Sequence, residues 1–129
     1  MKNSITGSDH MITLEKARKM IAHFHEKKEH LLHENFKGVQ VLNHCETFDR
    51  AAFDRLLAVP GCIGVRIHYG LDEDHKMHAI IVGVDENDND MLPNLAEDGV
   101  MQADSGDGPV IVEDGKTCPP YCTSTSLQP

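Results

Sequence analysis

The sequence predicts a small α+β fold: a two-layer sandwich in which two helices pack on a mixed sheet of three to four strands. The expected order is α-β-α-β-β with one further late strand. Three observations lead there. The chain opens on an amphipathic helical stretch. A second, shorter helical stretch is bounded by a capping Asp and a Pro-Gly stop. Between Ile63 and Asp85 two apolar runs flank an acidic turn. With 129 residues, 40% of them hydrophobic and 26% charged, the chain can bury a single modest core.

Residues 1–11 read as a flexible lead-in, 12–92 as the α+β domain, and 93–129 as an acidic, Gly/Pro-rich extension. Thr13 suits a helix N-cap, with Glu15 well placed in the first turn. Leu14, Ala17, Ile21, Phe24 and Leu31 then recur at helical spacing, which predicts one apolar face running to about His33. Val39, Val41 and Cys45 alternate with polar neighbours, a short strand. Asp49 can cap a helix over 50–58 that buries Phe53, Leu56 and Leu57, and Pro60-Gly61 ends it. A strand–helix–strand unit of this kind makes its two strands parallel by a right-handed crossover.

The hairpin follows. Ile63, Val65, Ile67 and Tyr69 fall on one face of its first strand, and Met77, Ala79 and Ile81 on the matching face of its second. Arg66, His68, His78, Ile80 and Val82 take the other face. Pro109 to Val112 has the composition of a late edge strand.

Charge is uneven. The net charge is −9; residues 1–37 carry 7 basic and 5 acidic side chains, and residues 38–129 carry 5 basic and 16 acidic. Such a balance argues against nucleic acid, which needs clustered Lys and Arg. It argues equally against docking on an anionic membrane. It suits a basic protein partner or a divalent cation. The segment MKNSITGSDHM lacks the apolar core of a secretory signal, and no apolar run approaches a membrane span, so the expected location is cytoplasmic. An open sheet edge predicts a homodimer.

Four groups carry candidate chemistry. Cys118 and Cys122 bracket Pro119-Pro120-Tyr121, a spacing that supplies half a zinc site or a small redox-sensitive disulfide, with Cys45, Cys62 or a His to complete the former. His68 and His78 share a hairpin face and can hold a metal or an anion. Asp85, Asn87 and Asn89 begin like a calcium loop, but Asp90 stands where the EF-hand turn needs Gly and Ala96 where it needs Glu. His23, Glu26, His30 and His33 form a helical stripe opposite the apolar face, which predicts a solvated surface. GxSxG, P-loop and GxGxxG motifs are absent from the sequence, so no catalytic residue is assigned.

The stretch Gly61 to Gly70 (G-x-x-G-x-R-x-x-Y-G), the stretch Val82 to Asp90 (V-G-V-D-x-x-x-N-D) and the Cys118-Pro119-Pro120-Tyr121-Cys122 pair together resemble a family of small uncharacterised bacterial proteins, over residues 12–122. The resemblance implies the fold and the cysteine pair and no activity. The resemblance also implies a tendency to Gly in turns where this chain has His75 and Asn89, which predicts less well-formed turns here. Three functions stand open: a non-catalytic binding or adaptor protein with an acidic surface, a zinc-binding or thiol-based sensor, and a peptide precursor modified in its Cys, Ser and Thr-rich tail.

Overall fold

The computed structural model describes residues 10–93, 108–123 and 127. Its elements are α1 (Leu14–Lys27), β1 (Cys45–Thr47), α2 (Arg50–Ala58), β2 (Gly64–Leu71), β3 (Met77–Val84), β4 (Asp90–Met91) and β5 (Lys116–Cys118). The α+β class and the order α-β-α-β-β hold. The strands form two antiparallel sheets, β1-β5 and β2-β3-β4, rather than one mixed sheet. The expected parallel pair does not form because Gly38 and Gln40 take positive φ of 79° and 66°. That breaks the extended run before Cys45 and leaves a three-residue β1, whose partner comes from the C-terminal segment.

The described residues fall into two compact units. The first holds Phe48–Tyr69 and the described part of Ala79–Asp114; the second holds the described parts of Asp9–Thr47, Gly70–His78 and Gly115–Pro129.

In the first unit Asp49 caps α2, its Oδ1 accepting from the Ala51 amide at 3.1 Å. The helix buries Leu56 against Ile81 and Val112, with Phe48, Ala52, Phe53, Ala79 and Val110 around them. Phe48 and Phe53 meet edge to face. The late strand expected at 109–112 is reduced to one bridge, in which Ile81 and Val112 exchange both backbone hydrogen bonds. Central β3 is buried on both faces at Ile81, Val82 and Val84. Edge strand β2 differs: its Val65, Ile67 and Tyr69, and Ile63 just before it, are all exposed, from 37% to 72%.

In the second unit Thr13 caps α1 as expected, accepting from the Lys16 amide. The α-helix stops at Lys27, short of His33, and tightens into a 3-10 turn over Lys28–Leu31. Two contacts turn the chain there. Buried Lys28 donates its Nζ to the Leu42 carbonyl at 2.8 Å, and Glu29 accepts from the Gly38 amide at 2.8 Å. No residue of α1 is buried, so its stripe of Ile21 and Phe24 is only half covered. Among the described residues of this unit the buried apolar side chains are Val41 and Cys118 alone.

The turns after β2 and β3 are the same device used twice. Asp72 Oδ1 accepts from the Asp74 and Lys76 amides, and Asp85 Oδ1 accepts from those of Asn87 and Asn89. His75 and Asp88, each three residues on, both take φ of 65°. The short carboxylate imitates a backbone turn, so both turns close without glycine. The left-handed residue of the second turn is Asp88 rather than Asn89.

Candidate functional site

In the second unit, the antiparallel pairing of β1 with β5 sets Cys45 directly across from Cys118. Pro119 and Pro120, which lack the N–H a strand continues on, end β5 at that point. Both are preceded by cis peptide bonds. The Tyr121 amide donates back to the Thr117 carbonyl at 2.9 Å, and this turn brings Cys122 to Cys118, Cα to Cα 4.7 Å, where the two form a disulfide. The bond is lopsided: Cys118 is 4% exposed, while Cys122 is exposed. Cys45 is an exposed free thiol. The His44 amide donates to the Cys118 carbonyl at 2.7 Å, tying the two strands together beside the pair.

The His44 ring stacks on His25 at 3.8 Å between centroids. Burial pushes the His44 pKa down, and the Lys28 ammonium and His25 push the same way. This stack was not legible in the sequence, since the two residues lie 19 positions apart with no shared period.

Arg66 organises the polar face of the first unit. Its guanidinium pairs with Asp88 and Asp90, both at 2.5 Å, and Asp90 holds His68 Nε2 at 2.8 Å through its other oxygen. The His68 hydrogen bond, followed by the Arg66 guanidinium, pulls the Asp90 pKa below the ordinary carboxylate range. In the second unit His78 Nε2 meets Asp72 at 2.7 Å. The Lys76 amide, followed by the His78 ring, lowers the Asp72 pKa. His68 and His78 thus each have their own carboxylate.

Of the residues expected to hold a metal, Cys118 and Cys122 are bonded to each other, so neither is a thiolate ligand here. Asp85 has one carboxylate oxygen committed to the amides of Asn87 and Asn89, which turns N–H donors, not oxygens, into the loop. His23, Glu26, His30 and His33 are exposed, and His33 accepts from the Asn35 amide to cap a short 3-10 turn over Glu34–Phe36. Among the described residues no three His, Cys, Asp or Glu side chains converge as a metal set. No helix there is long and apolar enough to cross a membrane.

Comparison with protein families, with curated proteins and with solved structures found no match.

Proposed function

We propose that the protein is a thiol–disulfide-responsive module whose redox centre is the Cys118–Cys122 pair. The observation that carries this is the asymmetry of the bond, with one sulfur presented to solvent and the other buried in β5. A thiolate of a dithiol reductant can reach Cys122. It forms a mixed disulfide there and releases Cys118 as a thiolate. The reductant's second thiol then resolves the mixed bond and frees Cys122, so two electrons pass to the protein. Among its described residues the second unit buries little apolar surface, so losing the crosslink should loosen the β1–β5 ribbon it anchors.

The test is equilibration in glutathione buffers of graded ratio, followed by alkylation and intact mass. A reversible gain of two labels, absent from the C118S/C122S variant, is expected. A pair that stays fully oxidised or fully reduced across the series counts against the reading.

A second reading follows from edge strand β2, whose exposed Val65, Ile67 and Tyr69, with Ile63 just before them, favour a binding role with a second copy as partner. Sedimentation of the wild type and of Val65→Lys tests it; a wild type that stays monomeric at high concentration ends it. A basic protein partner is less favoured. Asp72, Asp85, Asp88 and Asp90 already serve turns and ion pairs within the chain.

A further inference from the structure

We propose that Cys45 is a third member of the redox site, a cross-strand thiol that exchanges with the Cys118–Cys122 disulfide. The inference rests on the redox reading of that pair. Its own support is the register: Cys45 and Cys118 are directly opposed in an antiparallel ribbon. Opposed residues share a face, with Cα atoms roughly 4.5–5.5 Å apart, inside the window of about 4.4–6.8 Å that a disulfide spans. Burial adds direction. Buried Cys118 is shielded from thiols in solution, which meet Cys122, whereas Cys45 approaches Cys118 from the neighbouring strand.

The step balances within the chain. The Cys45 thiolate attacks Cys118 Sγ and a Cys45–Cys118 bond forms. The Cys118–Cys122 bond breaks, and its electron pair leaves on Cys122, which takes a proton from water. No oxidant is consumed. The crosslink moves from a local hook of four positions' separation to a staple joining β1 to β5. The thiol moves from Cys45 to Cys122, where it can attack a partner's disulfide, forming a mixed disulfide and releasing one partner thiol. The site thus has two oxidised forms of equal electron count that differ in which thiol they present.

The experiment uses the full chain with Cys122→Ser, oxidised in a glutathione buffer and mapped by digestion under non-reducing conditions. Cys45, Cys62 and Cys118 remain, so three pairings compete. The expected result is a Cys45–Cys118 linkage at least fivefold above both Cys62-containing pairings together. That preference should disappear when oxidation is carried out in guanidinium, which controls for loss of fold. Cys118 capped by glutathione with Cys45 free, or comparable amounts of all three pairings under native conditions, overturns the proposal and leaves the redox reading of the pair intact. A wild-type digest with no Cys118–Cys122 linkage at any buffer ratio brings down both.

Discussion

Gly83 lies in β3 against Cys62, and adding one carbon there separates packing from chemistry. A Cβ at Gly83 would stand 2.9 Å from Cys62 Sγ, 3.7 Å from the Leu56 carbonyl and 3.8 Å from Met91 Sδ. Ordinary contacts sit at about 3.5–4.0 Å, so only the sulfur is seriously crowded. The sulfur is not free to swing away at no cost, because it donates to the Gly64 carbonyl at 3.2 Å. Overpacking of this kind costs about 1–3 kcal/mol. Replacing Gly by Ala at a compatible backbone position returns about 0.4–1 kcal/mol through the unfolded chain. Gly83→Ala should therefore destabilise, by at most about 2.6 kcal/mol. Cys62→Ala alone should cost about 1 kcal/mol of lost burial. The double variant removes the clash and keeps the backbone gain, so it should be more stable than Cys62→Ala. The assay is urea unfolding followed by far-UV circular dichroism, since the chain has no Trp. If the two changes add to within about 0.5 kcal/mol, Cys62 does not pack on Gly83 and the reasoning fails.

Three further outcomes are expected. Leu56→Ala, at 2% exposure the centre of the first unit's core, should cost about 2–5 kcal/mol by urea unfolding. His75→Val should lose at least about 1 kcal/mol, because a β-branched residue resists a φ of 65°, while His75→Gly should unfold at or above the wild-type midpoint. Asp72 and Asp90 have folded pKa values below their unfolded ones, so their contribution is full above the ordinary carboxylate range and is lost as pH falls through the folded values. The urea midpoint should drop between pH 6 and pH 3, and Asp72→Asn with Asp90→Asn should flatten that drop.

Much of the fold was legible because local signals and packing agree. Thr13 and Asp49 cap the helices they were expected to cap, and each does so with its own side-chain oxygen. The hairpin lies where alternation placed it. What failed depended on distant residues. Nothing near His33 says that α1 ends at Lys27, because the cause is the Leu42 carbonyl drawing on Lys28. The pairing of β1 with β5 joins segments that lie far apart in sequence, and three-residue strands carry too little pattern to reveal a partner. The exposed row on β2 reads in sequence as a core face; only the strand order shows that it lies on an edge. The cysteine pair was legible as a pair. Its bond and its opposition to Cys45 were not, because they depend on that same long-range register.

The four cysteines differ in meaning because their surroundings differ. Cys62 belongs to a unit with a contiguous apolar core of Leu56, Ile81 and Val112, and its sulfur fills space against Gly83. Cys62 is half-buried, and its thiol donates to the Gly64 carbonyl at 3.2 Å. Cys118 and Cys122 belong to a unit whose buried apolar side chains, among the described residues, are Val41 and Cys118 itself, beside a buried Lys28 and Asn43. Polar groups that must keep their hydrogen bonds order such a unit less firmly than a packed core does, so a crosslink carries a larger share of its order. A five-residue loop closed by a disulfide is worth about 2 kcal/mol by chain entropy, little in a robust domain and much in this one. A crosslink therefore carries more of the order of the second unit than it would of the first. That is the ground on which the proposed redox role is given to Cys45, Cys118 and Cys122, and a packing role to Cys62.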